Sequence, residues 1–294
     1  MSQSEETVYI SSRLKKALLS PTKAWLYTKI LFRFLILFIY YKIRDLMTGE
    51  SRRFKVARRS QSQDFVDENN PLVSVVIATY NRSNLLKERA LNSILSQTYQ
   101  NFEVLVIGDG CTDDTGEVIA SLNDPRIRYY NLNERGKYPA NPKQRWMVAG
   151  IPPMNRANVE AKGHWIAHLD DDEIFTPDHI EKLLRFAQAG NYEFVYSIAQ
   201  HEYNPGEWIN VGNTPLMRYL HMNYCGHSSA MWRNYLNVFE YDINAWRMNV
   251  PGDQHRWARL ILAGVRIGFL PEITAIAPLR PGATLYGHLS QDRS

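Results

Sequence analysis

Cysteine is almost missing from this chain of 294 residues: only Cys111 and Cys225 occur. Neither has a partner at metal-type spacing, which disfavours both a disulfide framework and a zinc site. A reducing compartment fits this usage. Long hydrophobic runs are missing too. The most apolar stretch, Phe34-Leu35-Ile36-Leu37-Phe38-Ile39-Tyr40-Tyr41, falls well short of the ~20 apolar residues that a spanning helix needs. It starts late and no small-residue cleavage site follows, which argues against a secretory leader. Acidic residues are scarce near the amino terminus. From Arg13 to Arg59, thirteen basic residues face only Asp45 and Glu50, an excess of eleven positive charges. Since the whole chain carries +4, the remainder carries −7. A basic end on an acidic body points to an anionic partner for that end alone. With 45% hydrophobic and 22% charged residues, the composition excludes wholesale disorder and allows one substantial core.

Residues 1–48 read as a basic, apolar helical segment. On a helix advancing ~100° per residue, Lys29, Arg33 and Arg44 fall within roughly 60° of one another, with aromatics on the wide apolar side. This is the pattern of a helix lying in the plane of a membrane interface, helped by its flanking Lys and Arg against anionic lipid. A snorkelling transmembrane helix and a helix packed on the body are the alternatives. A nucleic-acid partner would rest on charge alone and is not expected. The expected location is the cytoplasmic face of a membrane, peripheral or monotopic. Residues 49–70 are polar and poor in large apolar side chains, and read as a linker.

The folded body starts at Pro71. Leu72 to Thr79 is β-branched and almost continuously apolar, as in a strand buried on both faces of a parallel sheet. A helix follows, with Ser83 or Asn84 as its cap and Leu85, Leu86, Ala90, Leu91, Ile94 and Leu95 as its apolar face. A second strand, Phe102 to Ile107, ends in Gly108-Asp109-Gly110. There Thr112 or Asp113 can cap a helix carrying Val118, Ile119 and Leu122. Arg126 to Tyr130 is a third strand. Strands alternating with helices at this spacing predict an α/β fold with a doubly wound, mostly parallel sheet and helices on both faces. Ligands bind such sheets beyond the carboxyl ends of the strands.

The most informative stretch is Trp165-Ile166-Ala167-His168-Leu169-Asp170-Asp171-Asp172-Glu173. Adjacent carboxylates are costly unless a cation sits among them. Mg²⁺ and Mn²⁺ favour one or two carboxylates plus substrate phosphates. If the strand runs to Asp172, its period of two places Asp170 and Asp172 on one side. A solvated acidic turn capping the helix near Pro177 is the plainer alternative.

Three ordered stretches together resemble glycosyltransferase family 2: Pro71 to Arg82, Val106 to Thr115, and Ala161 to Glu173 followed by Thr176-Pro177. The resemblance spans roughly Pro71 to Pro278 and implies the GT-A fold over residues 71–294. It implies a nucleotide-sugar-binding half at 71–173 and an acceptor-binding half at 174–294. It also implies an inverting transfer, of the hexosyltransferase type, from a nucleotide-sugar donor (a UDP-sugar favoured) with Mn²⁺ or Mg²⁺. The acceptor would be a saccharide or a lipid-linked acceptor, as in polysaccharide biosynthesis. By the same resemblance Thr79, Tyr80 and Arg82 line the nucleotide pocket and Asp109 contacts the base. Asp170 contacts ribose and metal, Asp171 belongs to the same donor site, and Asp172 ligates the metal. Asn155 matches an asparagine upstream of that motif, with Arg156 standing in for an arginine that Met154 replaces. His288 is the candidate for a carboxyl-terminal histidine ligand, and Arg82, Arg156, His227 or His288 would hold the diphosphate.

The second half is less regular. A helix from Pro177 to Ala189, a strand at Phe194-Val195-Tyr196 and a hairpin tip at Asn204-Pro205-Gly206 are expected. Gly252-Asp253 resembles the family's Glu-Asp motif at a helix start, which makes Asp253 the general base; helix capping is its plainer role. Two acids that the family often carries are glycines here, Gly108 and Gly252. They support the alternative of a catalytically inactive relative that binds nucleotide-sugar or glycan.

Overall fold

The computed structural model describes residues 21–60, 69–212 and 225–280. The chain divides into two compact units, Met1–Gly49 and Glu50–Ser294. In the first, α1 (Pro21–Thr48) bears out the expected helix. It exposes Trp25, Phe32, Leu35, Ile36, Phe38, Ile39, Ile43 and Leu46. The ammonium of Lys29 lies 3.5 Å over the Trp25 ring. Among the described residues no helix is long and apolar enough to cross a membrane.

The second unit opens with α2 (Glu50–Ser60), inside the stretch expected to be a linker. Its one aromatic residue, Phe54, is fully buried against Tyr235 and Phe239. Buried Glu50 accepts a 2.6 Å bond from buried Arg259, and Arg58 forks onto Glu193 at 2.6 and 2.5 Å. The linker expectation fails over Glu50–Ser60 because these partners lie more than a hundred residues away in sequence.

The core is built on β1 (Val73–Thr79), α3, β2 (Phe102–Gly108), α4 (Thr115–Ser121) and β3 (Ile127–Asn131). The α3 segment runs as Ser83–Leu85, a π-helical Leu86–Leu91 and Asn92–Leu95. Next come α5 (Pro142–Trp146), α6 (Ile151–Glu160), β4 (Trp165–His168), β5 (Ile174–Phe175) and α7 (His179–Ala189). The chain continues with β6 (Phe194–Asn204), β7 (Glu207–Val211), β8 (Ala230–Arg233), α8 (Gly252–Leu262) and β9 (Ile267–Ala277). The sheet order is β3-β2-β1-β4-β8-β6-β9-β5, with β7 on β6. The first four strands are parallel. Beyond β4 the sheet is mixed: β8 is antiparallel to β4 and β6, and β9 is parallel to β6.

Alternation along the strands fills two cores. Val73, Val75 and Ile77 pack with Leu86, Ile94, Ile180 and Leu183 on one face. Val76, Leu105, Ile107 and Ile166 pack with Phe54, Trp232, Trp257 and Leu260 on the other. Helices cover both faces, as expected of a doubly wound sheet. The caps differ in detail. The position before Ser83 is Arg82, and neither it nor Asp114, before α4, makes a capping bond. Asp113 does accept from the backbone N–H groups of Ser83 and Thr115, tying both helix starts together.

Candidate active site

The strand order reverses at β1, whose neighbours are β2 and β4. Crevices form at such reversals, beyond the strands' carboxyl ends. Register aligns Thr79 with Gly108 and Val76 with His168. The residues after each strand therefore meet at one edge.

The fourth strand ends at His168, four residues earlier than the alternation argument assumes. The acids occupy a turn, closed by Glu173 N–H on the Asp170 carbonyl at 3.1 Å. Each takes its own partner. Asp171 turns back to β1, accepting from Thr79 Oγ1 at 2.8 Å and from Arg82 at 3.0 Å. Asp172 is ion-paired with Arg280, and Arg82 stands 4.0 Å away. Asp170 meets His168 Nε2 at 3.0 Å, and its backbone N–H donates to Ser228 Oγ. The expectation that strand alternation puts Asp170 and Asp172 on one side loses its premise, because both lie beyond the strand's end; the Arg280 charge nevertheless acts on both. Burial pushes the Asp171 carboxyl up, although the Arg82 charge opposes it. Burial also acts upward on Asp170, but the His168 hydrogen bond and nearby positive charge outweigh it and hold the group low.

Beyond β2, buried Asp109 accepts from Gly136 N–H at 2.9 Å and from the Tyr138 hydroxyl at 2.5 Å. The Arg135 guanidinium lies 3.8 Å over the Tyr80 ring. Tyr80, Arg135, Tyr138 and Asp109 thus form one wall. Arg135 and Tyr138 escaped the sequence reading because they sit in an irregular loop without periodicity. The acid often found at Gly108 would have to displace its neighbours. A β-carbon would stand 2.5 Å from Asn131 Oδ1 and 2.7 Å from the Tyr129 hydroxyl.

Two expected donor contacts have other partners. Asn155 spends both polar atoms on the Tyr241 backbone, each at 2.9 Å. Arg156 pairs with Glu160 one turn along α6, with its side chain half exposed. His288 lies outside the described residues.

Asp253 sits in the first turn of α8, partly buried, and accepts from Gln254 N–H at 2.7 Å. Burial is the main force pushing its carboxyl up to about 6; the Asp170 charge adds to it, and the Gln254 N–H opposes it. Gly252 before it donates to the Met147 carbonyl, and a β-carbon there would stand 2.6 Å from Ile151 Cδ1. The space of the family's glutamate is filled by Ile151.

A third group closes the crevice. The rings of His168 and His227 stack with centroids 3.9 Å apart. His227 Nε2 meets the Tyr241 hydroxyl at 2.7 Å, and that hydroxyl accepts from Arg256. One donor atom from each of His168, Asp170 and His227 lies within 4.8 Å of the others. His168 is buried, and its Nδ1 has no hydrogen-bond partner. These donors fit a divalent cation. Arg89, in the π-helical turn of α3, holds the carbonyls of Asp172, Pro278 and Leu279 at 2.7–2.9 Å, which brings Arg280 to Asp172. Neither arginine carried a sequence signal.

Known proteins match this architecture. The sequence profile of glycosyl transferase family 2 covers residues 74–143 and 151–248. An uncharacterized glycosyltransferase of Rickettsia felis is 37% identical over 138 residues, 47% of this chain and 21% of its own length. WfaP of Escherichia coli, a UDP-Glc:alpha-D-GlcNAc-diphosphoundecaprenol beta-1,3-glucosyltransferase, is 32% identical over 126 residues, 43% of this chain and 45% of its own. The chain thus spans less than half the length of these relatives. Among solved structures, S. aureus TarS 1-349 in complex with UDP-GlcNAc superposes with a TM-score of 0.59 at 18% identity, over 76% of this chain and 61% of that one. The mannosyltransferase PcManGT from Pyrobaculum calidifontis, in complex with GDP-Man and Mn2+, gives 0.54 at 17% identity, over 84% and 69%. Profile, fold and the order of the three motifs agree: the chain belongs to glycosyl transferase family 2 and has the GT-A fold.

Proposed function

We propose that the chain transfers a sugar from a nucleotide-sugar to a saccharide or lipid-linked acceptor, with inversion and with Asp253 as the base. One observation carries the reading: a carboxylate raised to about 6 stands in the first turn of α8, near enough to Asp170, after β4, to feel its charge. A base is best poised near the working pH. In the step, the acceptor hydroxyl oxygen bonds to the anomeric carbon while its proton passes to Asp253. The bond from that carbon to the diphosphate oxygen breaks, and the nucleoside diphosphate leaves with the electron pair. One displacement inverts the centre.

The wall of Tyr80, Arg135, Tyr138 and Asp109 is assigned to the nucleotide base, with a UDP-sugar favoured. Arg82 and Arg280 are assigned to the diphosphate. A divalent cation, Mn²⁺ or Mg²⁺, held through Asp170 would supply neutralising charge for the leaving group. The two relatives bound to UDP-GlcNAc and to GDP-Man with Mn2+ support a nucleotide-sugar donor. WfaP, by its name, uses a diphosphoundecaprenol-linked acceptor, which supports a lipid-linked one here. The basic, apolar α1 is assigned to an anionic membrane surface on the cytoplasmic face, since its large apolar residues are exposed beside Lys29 and Arg33.

The test is release of nucleoside diphosphate from a nucleotide-sugar panel with Mn²⁺ and candidate acceptors. Release that disappears in Asp253→Asn, while UDP still raises the melting temperature, supports the transferase. Binding without release in the wild type would leave the inactive relative, which the filled spaces at Gly108 and Gly252 favour.

A further inference from the structure

We propose that Arg145 and Trp146, at the end of α5, form a subsite for an anionic saccharide, a sugar bearing a phosphate or a carboxylate. Its use as the acceptor rests on the reading above, whereas binding of the saccharide is measured without any donor.

The segment is this chain's own. The family profile matches residues 74–143 and 151–248 and passes over 144–150. Yet the segment ties the proposed nucleotide wall to the helix of the proposed base. Gly150 N–H donates to the Tyr138 hydroxyl at 3.2 Å, and that hydroxyl donates to Asp109. The Met147 carbonyl accepts from Gly252 N–H at 2.8 Å, one residue before Asp253. By bond lengths along that path, the Cα atoms of Trp146 and Asp253 are at most about 14 Å apart. A saccharide whose reacting hydroxyl meets Asp253 can therefore reach Trp146 with its further units.

Three features of the segment fit such a ligand. First, its indole is left in water. Met147 and Val148 beside it are buried, yet Trp146 is 55% exposed, more than any other tryptophan among the described residues of the second unit. Asn141 caps the turn through Gln144 N–H at 3.1 Å, and Pro142 stiffens its start, so the ring stands on a fixed backbone. A rigid aromatic side chain offers large contact area at low entropic cost. Second, Arg145 has a donor in reserve. Its Nε is buried without a partner, and its bond from Nη2 to the Ala140 carbonyl is long at 3.3 Å. A buried donor normally finds a partner, and a guanidinium fork matches carboxylate and phosphate alike. Turning outward onto an anion gives Nε that partner. Third, the charge is of one sign. Residues 136–150 include Lys137, Lys143 and Arg145 and no acid. A one-sign patch on an otherwise acidic body favours an anionic ligand.

The experiment uses the full chain labelled with 5-fluorotryptophan, without nucleotide. Fluorine resonance reads each indole, and the line lost in Trp146→Phe identifies Trp146. The probes are N-acetylglucosamine 1-phosphate, glucuronate, neutral N-acetylglucosamine and inorganic phosphate. The expected result is saturable movement of the Trp146 line with at least one of the two anionic sugars. The neutral sugar binds roughly tenfold more weakly, the loss of one charged hydrogen bond, and inorganic phosphate leaves the line in place. In Arg145→Gln the anionic sugar falls to the affinity of the neutral one. The two anionic arms separate a sugar phosphate from a uronic acid. A line that neither anionic sugar moves at tens of millimolar overturns the proposal. Equal binding of the neutral sugar, or an affinity unchanged in Arg145→Gln, overturns it too. If Arg145→Gln does not fold, the wild-type contrast between anionic and neutral sugar decides alone. A chain that releases no nucleoside diphosphate while its Trp146 line still moves loses the transferase reading and keeps the subsite. Transfer with an unmoved line removes the subsite alone.

Discussion

At the scale of single residues, Asp253 is the group whose chemistry is most exposed to test. Replacing it by Asn keeps the shape and removes the base, so turnover should fall roughly 10²- to 10⁴-fold; steady-state kinetics on Asp253→Asn checks this, and donor binding should persist. The sign of the pH effect follows from its raised carboxyl. The base works only when ionised, so kcat/KM should be flat above about 6 and drop tenfold per pH unit below it. A profile that keeps falling only below about 4, the ordinary carboxylate range, would remove the base assignment. Gly252→Glu should cost about 1–3 kcal/mol through overpacking on Ile151, measured by urea unfolding, and Ile151→Ala in the same chain should recover part of it. The acids of the third motif were legible because their order and their place after an apolar stretch are local facts. Their directions were not, since these depend on where β4 stops. Alternation assumed a strand to Asp172, and the backbone turned after His168.

At the scale of elements, the strands and helices from Val73 to Asn131 were readable because buried parallel strands are near-continuous apolar runs broken by Gly, Asn and Asp turns. The α2 helix was not. Residues 50–60 hold Arg52, Arg53, Lys55, Arg58 and Arg59 around one phenylalanine, a composition that mimics a solvated linker. What makes it part of the body is pairing at long range, Glu50 with Arg259 and Arg58 with Glu193. Phe54→Ala should therefore destabilise the folded body by about 3–5 kcal/mol in equilibrium unfolding, far more than truncation of a linker residue would. An effect under about 0.5 kcal/mol, typical of exposed sites, would return α2 to the linker. The π-helical turn in α3 illustrates the same limit. Sequence periodicity marks a helix there, but not the extra residue per turn that accompanies Arg89 reaching three carbonyls.

At the scale of the molecule, the strands from Val73 to His168 are parallel, whereas those from Ile174 to Ala277 mix directions and interleave in the sheet. That difference explains why the residues after the first strands were found in order while Arg280 and Tyr241 were not. It also sets the expectation for the membrane. Vesicles containing anionic lipid should retain the full chain at low salt and release much of it as salt rises, because juxtamembrane basic residues act within a Debye length. A chain lacking residues 1–48 should lose that retention in sedimentation. Undiminished retention would remove the membrane role of α1.

The two walled glycines constrain what else these positions can hold. At Gly108 the ends of the Asn131 and Tyr129 side chains stand 2.5 and 2.7 Å from an added carbon, and at Gly252 the end of Ile151 stands at 2.6 Å. A larger residue can enter only as these ends swing aside. At Gly108 that movement disturbs the Asn131 amide, which holds the Cys111 backbone through both of its polar atoms.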